Sequence, residues 1–310
     1  MCIIGIYTIS GGAMERYYKA IDTRFSVNRF KSSLSAREKE SLQRFADSLS
    51  AQGVRIVIAS NPRVFPKSLF QRGITGTDCF AAIISENGRS LYTGYIGEYF
   101  ILECTARGIG THWLGNSFKM NAALEVIDLN PGESIAAVTP LGISDEPFTR
   151  SSRKSIHVLT GIPAKEYQNL PDWQRCAVEC ARRAPSAMNK QPWEIDVNDD
   201  GRSIGIANIS KNFGFGELDC GIAMLHAEIG AAHHNVHGVW DLSQDDVALF
   251  VVQDGEYPDA EPYDDGSDEL YVGDVFIDPI FPDDDDDSWE EADERNAIDD
   301  FFDFIDEDND

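Results

Sequence analysis

The stretch Ala184-Pro185-Ser186-Ala187-Met188-Asn189-Lys190-Gln191-Pro192-Trp193 decides how this 310-residue chain reads. Each proline lacks an N–H and restricts the residue before it, so helix cannot run through from either side. Between them, Ser186, Asn189, Lys190 and Gln191 carry hydrogen-bonding side chains, and Trp193 opens a strand-like run. A rigid polar loop at the mouth of a sheet suits recognition of a planar, hydrogen-bonding ring. The plain alternative is a well-capped turn.

Working outward, Pro171 sits at a helix start, and Trp173, Cys176, Ala177, Cys180, Ala181 and Ala184 form one stripe. Beyond the loop, strands at 194–197 and 203–207 flank Asn198-Asp199-Asp200-Gly201, a hairpin signal. A helix is expected over 217–234 with Leu218, Ile222, Leu225 and Ile229 inward, then a strand over 247–252. Toward the N-terminus, Ser35 and Glu38 have capping-box spacing ahead of Leu42, Phe45, Ala46 and Leu49, and Gly53 is placed at C′ of that helix. Strands are expected at 54–59, 80–85 and 134–143. The segment 95–106 is apolar on nearly every face and predicts a buried helix. Mixed elements with hairpins give the α+β class.

Charge separates the body from a tail. Residues 256–310 hold 25 Asp/Glu against Arg295 alone, a net −24, whereas the other 255 residues carry 28 acids and 25 bases. A near-neutral body without a basic face argues against nucleic-acid binding. No apolar run approaches the ~18–20 residues that cross a bilayer, and residues 2–9 lack the basic start of a secretory signal. Six irregularly spaced cysteines do not make a disulfide framework, so a reducing cytoplasm is expected. Met14, after Ser10-Gly11-Gly12-Ala13, is a candidate native start, which makes 1–13 an extension.

Three further segments offer chemistry. In Arg24-Phe25-Ser26-Val27-Asn28-Arg29-Phe30, an Arg with nearby hydroxyl and amide groups can grip a phosphate or a polar heterocycle. Gly108-Ile109-Gly110-Thr111-His112-Trp113-Leu114-Gly115 permits close backbone approach, or simply ends a helix, and lacks dinucleotide-binding spacing. Arg150-Ser151-Ser152-Arg153-Lys154 is a basic cluster that reads as a phosphate contact or as a solvated loop. Cys176 and Cys180 lie on the apolar stripe and read as packed thiols. His233 and His237 share a helix face without a third ligand, and His226 borders the inward face of its helix as a semi-buried residue. No metal site is expected.

Together these segments resemble the nitroreductase family of FMN-dependent oxidoreductases. Arg24-Phe-Ser26-Val-Asn28-Arg-Phe30 resembles its Arg-x-Ser-x-Arg-x-Phe, and Gly108–Gly115 its Gly-Leu-Gly-Thr-x-Trp-Leu-Gly turn. The 184–193 loop is similar to its Ala-Pro-Ser-x-x-Asn-x-Gln-Pro-Trp, and Asp219-Cys-Gly-Ile-Ala-Met-Leu-His226 looks like a helix of one branch. The usual order puts the Gln-Pro-Trp loop before the Gly-Thr-x-Trp turn; here it follows, as in a branch understood as two related halves in one chain. The resemblance implies a largely antiparallel mixed sheet flanked by helices, in two tandem half-domains over 14–160 and 161–255. The acidic tail, 256–310, has no counterpart.

The resemblance implies that Arg24 and Ser26 hold the FMN phosphate or ribityl chain, with Arg153 and Lys154 as a second phosphate contact. Pro185, Ser186, Asn189 and Gln191 would line the ring and ribityl side, and Leu114 and Gly115 would turn backbone groups toward the ring. Asn28 stands where the family commonly has a second basic residue. It further implies hydride transfer from NADH or NADPH through the flavin to a small aromatic acceptor, a nitroaromatic or a quinone, in a monomeric pseudo-dimer or a homodimer. The alternative is a flavin-binding or vestigial protein of this fold with a regulatory role. In that version its mostly disordered tail, where Ile298, Phe301, Phe302 and Ile305 repeat at helical spacing, engages a protein partner through 289–306.

Overall fold

Local signals account for the first elements of the computed structural model, which describes residues 3–4, 11–65, 73–198, 201–244 and 247–253. The first half runs β1 (Ile3–Ile4), α1 (Gly11–Thr23), β2 (Phe30–Ser32), α2 (Ala36–Ser48), β3 (Val54–Ser60), β4 (Cys79–Ser85), α3 (Leu91–Ala106), α4 (Met120–Leu124), β5 (Ser134–Pro140) and β6 (Ile143–Ser144). The second runs α5 (Ile156–Thr160), α6 (Ala164–Tyr167), α7 (Asp172–Arg183), β7 (Trp193–Val197), β8 (Ser203–Asn208), α8 (Gly216–His233), β9 (Gly238–Gln244) and β10 (Val247–Val252). All of this lies in the unit Met1–Asp265; a second unit, Gly266–Asp310, lies outside the described residues, as does the candidate tail helix. The expected extension 1–13 lies partly outside them too, but Ile3–Ile4 pairs with β9 and Gly11–Ala13 opens α1.

At α2 the capping box forms as spaced: Ser35 Oγ accepts from the Glu38 amide, and Glu38 Oε2 accepts from the Ser35 amide at 2.7 Å. A cap of this kind contributes about 1 kcal/mol. The helix ends at Ser48, however, so Gly53 is not its C′ residue. Gln52 (φ 52°) and Gly53 (φ 71°) are instead the two central residues of a tight turn into β3, closed by Val54 N–H donating to Ala51 O at 2.9 Å. Two successive positive φ values are what such a turn requires, and glycine takes the second without cost.

Strand pairing among the described residues makes three sheets, with antiparallel pairing between every pair of named strands. They are β3-β4-β5, β1-β9-β10-β8-β7, and the small pair β2-β6. The expected single strand over 134–143 is broken between β5 and β6. Leu141 N–H donates to Cys79 O, and a Cβ on Gly142 would stand 2.5 Å from Ser32 O, so the chain turns there from β4 toward β2. The strand β9 had no reading in the sequence; its Trp240 is wholly buried against β10.

Between the sheets α3 and α8 cross closely, and both are buried on nearly all faces. The contact is reciprocal. A Cβ on Gly94 would stand 1.9 Å from Leu218 O, and one on Gly221 would stand 2.0 Å from Leu91 O. The same Leu-x-x-Gly spacing therefore serves both helices, each glycine admitting the other's backbone.

Candidate functional site

The loop after α7 is held in a costly conformation. Met188 (φ 54°), Asn189 (φ 56°) and Gln191 (φ 47°) all occupy the left-handed region. Each such non-glycine residue costs on the order of 1 kcal/mol or more and persists only where surroundings over-determine it. Those surroundings are explicit. Asp219 on α8 accepts from the Ala187 amide at 3.0 Å and from Asn212 Nδ2 at 2.6 Å, while Asn212 Nδ2 also reaches Ala187 O at 3.1 Å. Ser186 Oγ accepts from the Gln191 amide at 2.8 Å.

A second set of bonds ties this loop to the 152–154 segment. Arg153 Nη1 donates to Asn189 Oδ1 at 3.0 Å, and its Nη2 to Arg183 O at 3.0 Å. Asn189 Nδ2 donates to Ser152 O, the Lys154 amide to Gln191 Oε1, and Lys154 Nζ to Gln191 O. Two clusters thirty residues apart in sequence thus become one structure. Asn189 and Gln191 engage both ends of their amides in it, so they act as braces that shape the loop. Pro185 leads into the loop half-buried, and Met188 stands 60% exposed at its tip.

The 24–28 segment follows α1 and runs beside the Gly110–His112 turn, with Val27 N–H donating to Thr111 O at 2.9 Å. Arg24 is almost fully buried, 3.6 Å from the Glu98 carboxylate. Burial lowers its pKa, with Glu98 opposing. Burial likewise pushes Arg153 down to about 10, helped by the charges of Arg24 and Arg182. His112 is lowered by burial and by Arg24. Three buried nitrogens here lack a hydrogen-bond partner: Arg24 Nε, Arg153 Nε and His112 Nδ1. Burying two guanidinium donors unpaired is unfavourable unless a ligand accepts from them.

The 16–231 segment matches the sequence-family model described as "Putative TM nitroreductase". The chain belongs to the nitroreductase family. A Thermotoga maritima protein of the same description is similar in fold, with a TM-score of 0.54 at 20% identity over 76% of this chain and 93% of that one. A Desulfitobacterium hafniense nitroreductase solved with bound FMN overlaps 45% of this chain and 94% of its own at 15% identity and a TM-score of 0.38. An FMN-dependent nitroreductase of Clostridium difficile overlaps 43% and 90% at 11% identity and 0.34. A comparison with curated proteins finds no match.

The remaining expected positions differ in use. Ser26 is exposed beside Thr111. The backbone N–H of Asn28 donates to Glu146 Oε2 at 2.7 Å, and Glu146 also pairs with Arg29 at 3.7 Å, so the position where the family pattern has a base is tied to a neighbouring ion pair. Leu114 does not turn its amide to a ring: that N–H donates to Val138 O at 2.9 Å, and its side chain is buried in the smaller core cluster. Gly115 admits a protein ring instead, since a Cβ there would stand 2.1 Å from Phe215, and its carbonyl accepts from Arg89.

The histidines also move from their expected places. α8 ends at His233, so His237 shares no helix face with it; His233 stacks on Tyr18 at 3.8 Å. His226 is wholly buried, bonded to Glu98 and to Cys180 O. Cys176 and Cys180 are free thiols at the core, as are the other described cysteines. No helix among the described residues is long and apolar enough to cross a membrane. Asp219, Asn212 and Glu98 escaped the sequence reading. The one signal for Asp219 was its place at the head of the Asp219–His226 motif.

Proposed function

We propose that the chain binds FMN between the 184–193 loop, the 152–154 segment and Arg24, and works as an NAD(P)H-dependent flavin oxidoreductase. The observation that carries this is the pair of buried guanidinium nitrogens without a hydrogen-bond partner, Arg24 Nε and Arg153 Nε, beside a strained and braced loop. These donors suit a phosphate, which accepts charge-assisted bonds from several directions. A flavin held there would supply hydride-transfer chemistry between NADH or NADPH and a small aromatic acceptor such as a nitroaromatic or quinone, in ping-pong order.

The chain's own residues position and exclude. Arg24 and Arg153 supply positive charge, Arg153 also fixes Asn189, and Asp219 with Asn212 holds the Ala187 peptide. Lys154 Nζ donates to Gln191 O, which leaves its charge and the rest of its three ammonium hydrogens for a phosphate. The reciprocal glycine contact of α3 and α8 supports reading the body as two related halves, an isologous arrangement ordinarily made by two copies. On that reading a single chain suffices for the site, as monomer or homodimer, in the cytoplasm.

The test is the visible absorption spectrum of the purified full chain, then its bleaching by anaerobic NADH or NADPH. Flavin absorption that bleaches is expected. A colourless protein that also fails to take up added FMN would overturn the proposal. One observation favours a second reading, a flavin-fold protein that binds without turnover and signals through its acidic tail: Asn28 leaves the phosphate end one basic side chain short of the family pattern. Bound flavin that no nicotinamide bleaches would establish that reading instead.

A further inference from the structure

Glu98 lies wholly buried on α3, and three side chains from separate segments converge on it. Trp113 Nε1 donates to its Oε2 at 2.7 Å, His226 Nε2 stands 2.9 Å from its Oε1, and Arg24 Nε stands 3.6 Å from the same oxygen. His226 is equally buried on α8, its Nδ1 3.1 Å from Cys180 O. Arg24 and Glu98 are thus an ion pair at 3.6 Å, yet Arg24 Nε makes no hydrogen bond.

Donor and acceptor chemistry sets the charge that Arg24 faces across that pair. A backbone carbonyl only accepts, so the hydrogen on that side belongs to His226 Nδ1. A 2.9 Å contact between Nε2 and Oε1 then needs one more proton on one of the two atoms, because two facing lone pairs would repel. The pair is therefore an imidazolium against a carboxylate, or an imidazole against a carboxylic acid. Its net charge is zero in both arrangements. Glu98 alone would carry −1 and cancel Arg24.

We propose that His226 is a positioning residue: by sharing a proton with Glu98 it keeps that carboxylate from neutralising Arg24, leaving the full charges of Arg24 and Arg153 for the phosphate of a flavin mononucleotide. The proposal rests on the flavin-binding reading above and adds the residue that sets the charge of its phosphate end. His226 touches neither phosphate nor ring; it acts through Glu98 and Arg24.

The test compares FMN with riboflavin, which lacks the phosphate, by fluorescence titration of the full chain and its variants. His226→Gln keeps a donor to Glu98 but brings no proton to share, so the pair becomes −1. FMN binding is expected to weaken on the order of tenfold while riboflavin binding holds. Glu98→Gln, and the double variant, are both neutral pairs and are expected to bind FMN as the parent does. A His226→Gln chain with the parent's FMN-to-riboflavin ratio, or a double variant as weak as His226→Gln, overturns the proposal and leaves the flavin reading standing. Should His226→Gln not fold, Glu98→Gln decides alone: parent-like FMN affinity supports the neutral pair, and weak FMN binding overturns it. A parent chain that binds neither flavin overturns both.

Discussion

Replacing Gly94 by Ala tests whether the α3–α8 crossing organises the body. The new Cβ would stand 1.9 Å from Leu218 O and about as close to the backbone as 3.1 Å from Ile222 N, distances set by main chain and not by a side chain that can swing away. To reach even 3.0 Å the helices must part by about 1 Å along a contact buried on both sides. Overpacking of this kind costs ~1–3 kcal/mol and sometimes more, and a backbone-on-backbone clash belongs at the upper end. Alanine returns about 1 kcal/mol as the better helix former, so the net loss is about 2 kcal/mol. For a body of this size that lowers the melting temperature by roughly 4–8 °C, measured by circular dichroism. Gly221→Ala should act alike, because its Cβ would stand 2.0 Å from Leu91 O. The double variant should lose less than the sum of the two, since helices parted for one methyl have room for the second. A Gly94→Ala chain as stable as the parent, or strictly additive losses, would refute the close crossing.

Arg153→Lys retains the charge but cannot reach Asn189 Oδ1, Ser152 O and Arg183 O together. FMN affinity is expected to fall roughly tenfold to a hundredfold for one or two lost bonds, and riboflavin affinity by less, because only FMN offers a phosphate to the Arg153 Nε donor that lysine lacks; fluorescence titration reads both. Burial raises Asp219 and Glu228 to about 7, partly offset by their hydrogen bonds from Asn212 and Ala187 and from Tyr95 and Trp240. In the unfolded chain both ionise near their ordinary values, about 4, so between about pH 4 and 7 the folded state holds protons the unfolded state has released. Stability from these groups therefore falls as pH rises through that window and is level above it. Urea unfolding at pH 5 and pH 8 should show the fall, and Glu228→Gln should flatten it.

Legibility in the sequence followed the range of the interaction. The Ser35–Glu38 box, the hairpin around 198–201 and the stripe of α7 were readable because each rests on residues a few positions apart. The loop 184–193 announced itself by its prolines and polar spacing, but its bracing by Arg153, Lys154, Asn212 and Asp219 did not, since those partners lie 25 to 37 positions from the groups they hold. Gly53 was misplaced, and the strand over 134–143 was carried through Gly142, because a glycine marks a special backbone position without saying whether a turn or a close neighbour demands it.

The amino-acid order alone thus determined the α+β class and most element positions, properties of periodicity, capping and turn chemistry, which act locally, while the family and the candidate site segments rested on resemblance of motifs. Only the tertiary structure decided which buried charges meet. α3 and α8 are apolar nearly all round, so no stripe reveals that Glu98 faces His226 and Arg24, or that Glu228 faces Tyr95 and Trp240. Those pairings span 74 to 133 positions in the cases of Arg24, His226 and Tyr95, and they arise because two glycines let the helices approach until backbone touches backbone.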